Sequence, residues 1–240
     1  MRLDALLVDK YGVESRNKAQ RLIRDNKVLV NNYAINKPAY VCKSNDKIKI
    51  ISGASYVSVG ASKLLTAIKH WKIRLADLNV LDIGSSTGGF TQVALENNAK
   101  HVYCVDVGTQ QLHHSLRNNK KITIYENTNF KSIRAQMFTE IDFVVADVSF
   151  ISLTQLITTV SQVFKSPLSG IFLIKPQFEL SPSEIKDGYV KSLSLRNKAV
   201  NKVVAFAKQH GLIVHGTTPT IAEPTKKQKN IEYLMYWSKP

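Results

Sequence analysis

From residue 79 onward, short apolar segments alternate with segments of helical character. The first unit, "NVLDIGSSTGGFTQVALENNA", reads as a strand, a glycine-rich turn and a helix. The apolar segments "HVYCVDVG", "KITIYEN", "IDFVVADV" and "GIFLIKP" follow it. Strands that alternate with helices form a mostly parallel sheet, which helices cover on both faces. The pattern therefore predicts a Rossmann-like α/β domain whose ligand lies at the carboxyl ends of the strands.

The glycine-rich turn after the first strand limits the kind of ligand that the domain can hold. A dinucleotide fingerprint has glycine at its first, third and sixth positions. Here Gly84 is followed by "SSTGG", so the middle glycine is missing, and the chain contains no phosphate-binding GK[ST] sequence. Because the middle glycine lets the backbone approach a pyrophosphate, its absence favours a cofactor without one.

Two acidic residues at strand ends indicate the chemistry of that cofactor. Asp82 directly precedes the turn, where a carboxylate would repel a phosphate and attract an ammonium or sulfonium group. S-Adenosylmethionine carries both of these cationic groups and no phosphate. Asp106 closes the next strand, at a position that commonly binds the two hydroxyls of a ribose. These residues favour S-adenosylmethionine, with another nucleotide as the alternative ligand.

Four charged residues at the ends of predicted elements are candidates for chemistry. Asp147 separates the apolar runs "IDFVVA" and "VSFISL", and Lys175 ends the strand "GIFLIK". A carboxylate and an amine that lie side by side offset each other's cost of burial, so this pair is either catalytic or a structural salt bridge. Lys63, on the helix that enters the domain, and Glu232, in the final segment "NIEYLMYW", are the other two candidates.

The residues that follow Asp147 carry two further expectations. Ser149 is either the cap of the next helix or a contact for the substrate. The apolar residues are expected to pack the following turn and helix against the sheet: Val148, Phe150, Ile151 and Leu153.

The first fifty residues follow a different pattern. Two short helical segments come before two strand-like segments, "KVLVNN" and "DKIKII". This stretch contains 11 basic and 5 acidic residues, and the whole chain has a net charge of +15. Such an excess of positive charge favours a polyanionic partner. Solubility alone is the alternative, and charge does not distinguish among DNA, RNA and an anionic membrane.

Other features of the sequence restrict the class of protein. No segment approaches the roughly 20 consecutive apolar residues that span a bilayer, and the N-terminus has charges where a secretory signal would be apolar. Cys42 and Cys104 lie far apart, without the spacing of a metal site. We therefore expect a cytoplasmic protein with free thiols and no metal.

The N-terminal string "RLDALLVDKYGVESRNKAQRLIRDNKVLVNN" resembles the S4 RNA-binding domain. Asn26 stands where that family usually has glycine, a position at which asparagine is tolerated. The resemblance implies that this part binds structured RNA through its shape and phosphates. The residues that carry this expectation are Arg2, Ser15, Arg16, Lys18, Arg21, Arg24 and Lys27.

Almost the whole chain resembles the TlyA (haemolysin A-like) family of ribosomal RNA methyltransferases. The strings "VLDIGSSTGGFT", "DVGTQQL", "DFVVADVSFISL", "LIKPQFE" and "NIEYL" carry the resemblance. It implies an FtsJ-type tetrad for 2′-O-methylation of ribose, formed by Lys63, Asp147, Lys175 and Glu232, with Lys175 orienting or deprotonating the hydroxyl or stabilising the alkoxide. The implied cofactor-binding residues are Asp82, Gly84, Ser85, Thr87, Gly88, Gly89, Phe90, Asp106 and Asn129.

The chain departs from that family at four positions. Val59 and Ala61 replace an arginine and a glycine of the segment before the tetrad's first lysine, and Gln92 and Lys229 replace an aspartate and a glycine. We expect these changes to affect the linker and the choice of substrate more than catalysis.

The resemblance implies an S4-like domain at 1–52, a linker at 53–62 and an FtsJ-like domain at 63–240. The partner would then be ribosomal RNA or ribosomal subunits. A membrane-acting haemolysin and an RNA-binding protein with an inactive methyltransferase domain are the alternatives.

Overall fold

The computed structural model describes residues 1–25, 27–31, 33–43, 45–50, 56–164, 167–220 and 230–240. The chain divides into two compact units, Met1–Ser55 and Tyr56–Pro240. Asn26, Lys229 and part of the predicted linker lie outside the described residues. The two units are described separately below.

The first unit is a small α+β structure. Two helices, α1 (Leu3–Lys10) and α2 (Arg16–Arg24), precede the strands β1 (Val28–Val30), β2 (Tyr33–Ala34) and β3 (Ile48–Ile50), which form an antiparallel sheet in the order β2-β1-β3. Ser15 begins α2 as its N-cap, because its side chain accepts a hydrogen bond from the Lys18 amide at 3.3 Å. The helices and the sheet enclose a core that includes Leu3, Leu7 and Ile23.

The described part of the second unit contains one seven-stranded sheet in the order β6-β5-β4-β7-β8-β10-β9. Its strands are β4 (Asn79–Ile83), β5 (His101–Val105), β6 (Ile122–Tyr125), β7 (Phe143–Ala146), β8 (Leu168–Ile174), β9 (Ile213–Pro219) and β10 (Tyr233–Lys239). The strands from β4 to β8 are parallel, whereas β10 runs antiparallel to both of its neighbours. The predicted fold class, a mostly parallel Rossmann-like sheet, is confirmed.

Helices cover both faces of this sheet. The side chains of each strand point alternately to the two faces, so apolar residues lie on both of them. Val80 packs on one face and Leu81 on the other, and so do Ile171 and Phe172. The helices are α3 (Gly60–Trp71), α4 (Gly89–Glu96), α5 (His114–Arg117), α6 (Leu153–Val163), α7 (Pro176–Glu179) and α8 (Leu193–Gln209). The central strands β4, β7 and β8 are therefore almost entirely buried, whereas the edge strands β6 and β9 are partly exposed.

The sheet order changes direction beside β4, which has β5 on one side and β7 on the other. Ligands of open α/β sheets bind at such a position, at the carboxyl ends of the strands. The register pairs Ile83 with Ala146. Gly84 directly follows β4 and Asp147 directly follows β7, so the two residues lie side by side at the carboxyl edge of the sheet. Tyr233 pairs with Ile174 in the antiparallel strand, so Glu232 and Lys175 reach the same edge from opposite chain directions.

Among the described residues, no helix combines the length and the apolar character that crossing a membrane requires.

Candidate active site

The structure brings the four charged candidates into one cluster, which we call the tetrad. Lys63, in the first turn of α3, lies 3.1 Å from Oδ2 of Asp147 and 2.8 Å from Oε2 of Glu232. Lys175 follows β8, and its Nζ lies 2.6 Å from Oδ1 of Asp147. Asp147 thus binds one lysine with each carboxylate oxygen. The lysine side chains are only 22% and 9% exposed, for Lys63 and Lys175 respectively, so water screens these contacts weakly.

Two members of the tetrad, Asp147 and Lys63, keep their charges in spite of burial. Burial raises the pKa of Asp147, but the positive charges of Lys63 and Lys175 outweigh that effect, and the net pKa lies below its ordinary value. Burial likewise lowers the pKa of Lys63, and the charges of Asp147 and Glu232 reverse the shift, so its pKa is raised. The charged forms of Asp147 and Lys63 are therefore favoured within a mostly buried space.

The glycine-rich turn is shaped by the close approach of Asp147. Gly84 has a φ of +78°, and a Cβ at this position would lie 2.8 Å from the carbonyl oxygen of Asp147. A Cβ on Gly89 would lie 2.2 Å from Oγ of Ser58 and 3.0 Å from the Ala61 nitrogen. Side chains would collide at both positions, so the turn can lie against the tetrad and α3 only with glycine there.

Asp82 lies at the end of β4 and is completely buried. Its Oδ2 accepts a hydrogen bond from Oγ1 of Thr91 at 2.6 Å, whereas Oδ1 has no partner among the described residues. Burial raises the pKa of Asp82 to about 7, although the bond from Thr91 opposes the shift. A buried carboxylate oxygen without a partner is costly, and Asp82 borders the same cavity as the tetrad.

That cavity has a volume of about 590 Å³. Of the implied cofactor-binding residues, Asp82, Gly84, Ser85, Thr87, Gly89 and Phe90 line it. We call the part of the cavity that these residues form the glycine-turn half; the tetrad, Gln177 and Tyr189 line the cavity as well. Lining residues that sequence reasoning missed are Ser58, Gly60, Ser62, Ser86, Gln177, Tyr189, Thr220 and Asn230.

Three implied cofactor-binding residues are not among those that line the cavity. Gly88 begins α4 with a φ of +93°. Asp106 accepts hydrogen bonds from the amides of Ser86 and Gly108, both at 2.8 Å, and so joins the glycine-rich turn to the loop after β5. Asn129 accepts a bond from the Lys131 amide at 3.0 Å and caps a short 3-10 helix. Their roles toward a cofactor stay predictions.

The segment after Asp147 differs from the expectation at one residue. Val148 and Ile151 pack against the core and Leu153 is buried, but Phe150 is 88% exposed, so its expected packing was wrong. The reason is a turn: Phe150 has a φ of +65°, which directs its side chain away from the core. Its ring lies 5.3 Å from that of Phe178.

Ser149 does not cap the following helix. Ser152 is the N-cap of α6, and Ser149 instead accepts a hydrogen bond from Nζ of Lys175 at 2.7 Å. Glu179 accepts bonds from Oγ of Ser152 at 2.6 Å and from the Leu153 amide at 2.7 Å. The strings "ADVSFISL" and "LIKPQFE" are therefore bound to each other at both of their ends.

In the first unit, the buried carboxylate of Asp4 binds two of the expected RNA-binding residues. Arg2 donates to both of its oxygens at 3.0 Å, Arg16 donates to Oδ2 at 3.2 Å, and Gln20 donates to Oδ2 at 2.9 Å. The hydrogen bonds from Arg2 are the main reason that the pKa of Asp4 lies far below its ordinary value. Both arginine side chains stay about half exposed.

The other expected RNA-binding residues lie on or beside α2. Lys18 forms an ion pair with Glu14 at 2.9 Å, and Arg21 lies 3.9 Å from Asp25. Arg24 donates to Oε1 of Gln20 at 3.3 Å. Lys27 precedes β1 and is half-buried. Helix α2 therefore presents a row of basic side chains next to the Asp4 cluster.

Comparison with known proteins gives the same two-part division. The family model for FtsJ-like methyltransferases matches residues 56–239, and the model for the S4 domain matches residues 1–48. The "Hemolysin A" of Brachyspira hyodysenteriae is 35% identical over 99% of this chain and 99% of its own length. The "16S/23S rRNA (cytidine-2'-O)-methyltransferase TlyA" of Mycobacterium tuberculosis is 33% identical over 98% of this chain and 88% of its own length.

Solved structures are also similar. A Streptococcus thermophilus protein that carries a hemolysin name has 34% identity and a TM-score of 0.73, over 100% of this chain and 88% of the other. An S-adenosylmethionine-dependent methyltransferase of Mesorhizobium loti has 14% identity and a TM-score of 0.53, over 75% of this chain and 99% of the other. The second likeness concerns the fold alone.

Proposed function

We propose, because the chain belongs to the FtsJ-like methyltransferase family and carries an N-terminal S4 domain, that the protein transfers a methyl group from S-adenosylmethionine to the 2′-hydroxyl of a ribose in ribosomal RNA. A relative that is 33% identical over almost the whole chain is named for this activity on cytidine. The observation that carries the proposal is the ion-paired tetrad, which lies in a cavity beside the glycine-rich turn.

The glycine-turn half of the cavity fits the proposed cofactor. Oδ1 of Asp82 is buried without a partner among the described residues, and it suits a cationic group of the ligand. Gly84 and Gly89 keep the turn free of side chains where the ligand would approach it. S-Adenosylmethionine, when bound, supplies a methyl group that its positively charged sulfur has already activated. The protein then has mainly to orient the acceptor hydroxyl.

Lys175 is the residue that we assign to the 2′-hydroxyl. An ammonium group has three hydrogen-bond donors, and Nζ of Lys175 already contacts Oδ1 of Asp147 and Oγ of Ser149. One donor therefore remains for the acceptor oxygen. This donor orients the hydroxyl and stabilises the negative charge that its oxygen carries once the hydroxyl proton has left for solvent. The oxygen then forms the C–O bond with the methyl group as the bond between that group and sulfur breaks. Asp147 and Lys63 fix the direction of the amine.

Two surfaces would hold the RNA. In the first unit, Arg2 and Arg16 are half exposed and suited to phosphates. In the second unit, the exposed ring of Phe150, next to Ser149 and the tetrad, offers a surface on which an unstacked base can lie. Because the proposed substrate is ribosomal RNA, we also propose that the protein acts in the cytoplasm.

The test compares three proteins in the transfer of labelled methyl groups to ribosomal subunits. Lys175→Ala should abolish transfer and leave the affinity for S-adenosylmethionine nearly unchanged. Lys198→Ala is the matched control, because Lys198 also forms an ion pair, with Glu184 at 2.6 Å, but lies on the surface of α8; it should keep the wild-type rate.

Two results would contradict the proposal. Near-normal turnover by Lys175→Ala would remove the assigned role of that lysine. Failure of the wild-type protein to bind S-adenosylmethionine or to methylate either subunit would refute the proposed function itself. If the same preparation then released dye from anionic vesicles, the haemolysin alternative would be favoured.

A further inference from the structure

Glu179 is a buried carboxylate outside the tetrad, and it is only 3% exposed. Its Oε2 accepts a hydrogen bond from Oγ of Ser152 at 2.6 Å, and its Oε1 accepts one from the Leu153 amide at 2.7 Å. Burial raises the pKa of this carboxyl group, and the two hydrogen bonds oppose the shift. A buried carboxylate is costly unless hydrogen bonds satisfy it, and both of these bonds lead to the start of α6.

Glu179 closes a ring of contacts between the single turn of α7 and the loop that leads to α6. At one end of this loop, Asp147 binds Lys175 through the 2.6 Å ion pair. At the other end, Ser152 and Leu153 bind Glu179. Because Lys175 begins the turn that Glu179 ends, both ends of the loop are fixed to the same short segment.

The loop depends on such contacts because its backbone is strained. Phe150 has a φ of +65°, a conformation that bulky residues rarely adopt. Strained backbone persists only where the surrounding contacts hold it. Ser149 directly precedes Phe150 and accepts a hydrogen bond from Nζ of Lys175 at 2.7 Å. Relaxation of Phe150 would therefore move the oxygen that Lys175 binds.

The direction of the Lys175 amine depends on both of its partners. Asp147 and Ser149 occupy two of the three donors of this ammonium group. Since the group is tetrahedral, the third donor has a fixed direction only when the other two are held. Lys63 holds the carboxylate of Asp147. Ser149 is held through the loop, whose far end Glu179 binds.

We propose that Glu179 is a positioning residue for methyl transfer, which holds Ser149 where it directs the Lys175 amine toward the acceptor hydroxyl. This inference rests on the proposed function, in which Lys175 binds that hydroxyl. Glu179 acts through its reach, because it supplies two contacts at a fixed distance from α7. A carboxylate that only stabilised α6 would act mainly through its charge, which is favourable at a helix N-terminus.

Two substitutions of Glu179 separate reach from charge. Glu179→Asp keeps the charge but shortens the side chain by a methylene group, so its oxygens no longer reach both donors. Glu179→Gln removes the charge and keeps the length, so its oxygen accepts from the Leu153 amide and its nitrogen donates to Oγ of Ser152. Ser152 then donates its own proton to Oγ1 of Thr154, which lies 2.8 Å away. Both contacts with α6 therefore survive in Glu179→Gln.

The experiment measures methyl transfer to ribosomal subunits and the backbone hydrogen exchange of residues 147–153. Glu179→Asp should lower kcat by about tenfold or more, speed the exchange and leave the KM for S-adenosylmethionine nearly unchanged. Glu179→Gln should stay close to the wild type in all three quantities. Glu184→Asp is the matched control and should behave like the wild type, because Glu184 binds Oγ and the amide of Ser181 where these bonds are exposed to solvent.

A double substitution tests whether Glu179 acts through Ser149. Ser149→Ala alone should also lower kcat, since it removes a partner of Lys175. Addition of Glu179→Asp to Ser149→Ala should then change kcat by less than about twofold, because coupled residues do not act additively. An effect on the stability of the domain alone would multiply with that of Ser149→Ala.

Three results would overturn the proposal: a wild-type kcat in Glu179→Asp, an equal loss of kcat in Glu179→Gln, or multiplication of the two effects in the double variant. If Glu179→Asp does not fold, Ser152→Ala takes its place, and an unchanged kcat in that variant would overturn the proposal as well. Absence of methyl transfer by the wild type would instead refute the proposed function, and hydrogen exchange would still show whether Glu179 holds the loop.

Discussion

Each unit of the molecule contains an aspartate that binds two basic side chains, and the two clusters differ in how they present positive charge. Asp4 binds Arg2 and Arg16, whose side chains are 47% and 56% exposed. Asp147 binds Lys63 and Lys175, which are mostly buried. The carboxylate of Asp4 therefore anchors cations that face water, whereas that of Asp147 keeps cations inside a cavity.

The type of basic side chain, arginine at Asp4 and lysine at Asp147, suits the exposure of each cluster. The planar guanidinium of arginine can bind a carboxylate with one edge and keep other donors for a phosphate. The lysine ammonium is a compact charge that can be aimed at a single atom. A half-exposed arginine acts on a polyanion over a distance, although salt screens it. A buried lysine acts strongly on one reacting atom, because little water weakens its field.

The largest expected effect concerns the buried cluster. Asp147→Asn keeps the size of the side chain but removes the charge that holds both lysines. We expect the rate of methyl transfer to fall by roughly 10²- to 10⁴-fold, the range typical of a lost catalytic group, while RNA affinity stays near the wild-type value. Initial rates with labelled S-adenosylmethionine measure the first quantity, and a rate within fivefold of wild type would contradict the proposed role of the tetrad.

Stability should also separate the two clusters. Asp147→Ala leaves Lys175 buried without a carboxylate, which typically costs about 3–5 kcal/mol. Asp4→Ala leaves two arginines that can turn toward water, so we expect a smaller loss of about 1–3 kcal/mol. Fluorescence during urea unfolding reports the first substitution, because both tryptophans, Trp71 and Trp237, lie in the second unit. Hydrogen exchange in α1 and α2 reports the second.

Equal losses of unfolding free energy in Asp147→Ala and Asp4→Ala would contradict this expectation. They would show that the exposure of the bound cations does not determine how much stability is lost. Asp9→Asn serves as a control for the first unit, since Asp9 is an exposed residue of α1. It should change the stability by less than about 0.5 kcal/mol.

The sequence predicted the fold and family because periodicity and long strings are local signals. Alternating strands and helices predicted the parallel sheet. Asp147 and Lys175 were candidates from their places at strand ends, and the resemblance to the FtsJ-type tetrad joined Lys63 and Glu232 to them. The antiparallel pairing of β10 with β8 was not predicted, because it depends on how the last strand enters the sheet. That pairing brings Glu232 to the edge where Lys175 lies.

Side chains whose roles depend on distant contacts could not be predicted in the same way. Phe150 looked like a core residue in an apolar run, yet a positive φ directs it into solvent. Glu179 looked ordinary within "LIKPQFE", and only its bonds to the start of α6 single it out. Asp4 lies in the first turn of α1, and Arg16 and Gln20 reach it from the next helix, a contact that no local sequence pattern indicates.

Asp82 is a third aspartate to compare with Asp4 and Asp147. Its buried carboxylate has no basic partner among the described residues. Burial raises its pKa from 3.8 to about 7. The ligand-free protein therefore gains stability from this group at low pH and loses it as pH rises from about 4 to 7. A cationic ligand prefers the ionised form, so its affinity should change in the opposite direction.

We expect the affinity for S-adenosylmethionine to rise by up to about tenfold per pH unit below pH 7 and to level off above it. Isothermal calorimetry between pH 5.5 and 8.5 measures this dependence. Asp82→Asn should bind more weakly at pH 8 and lose the pH dependence. An affinity that is independent of pH in the wild type would show that Asp82 does not face the cationic part of the cofactor.

The smallest expected effect tests whether Asp4 positions its arginines or merely neutralises them. Asp4→Asn keeps Arg2 and Arg16 and adds one unit of positive net charge, so simple attraction would strengthen binding to ribosomal RNA. If Asp4 holds the arginines in place, affinity should instead fall by a few-fold, because ordering them then costs conformational entropy on binding. The salt dependence should stay unchanged, since both phosphate contacts remain. Filter binding at several salt concentrations measures both quantities, with Asp9→Asn as the control of equal charge, and tighter binding by both variants would show that Asp4 only reduces the charge.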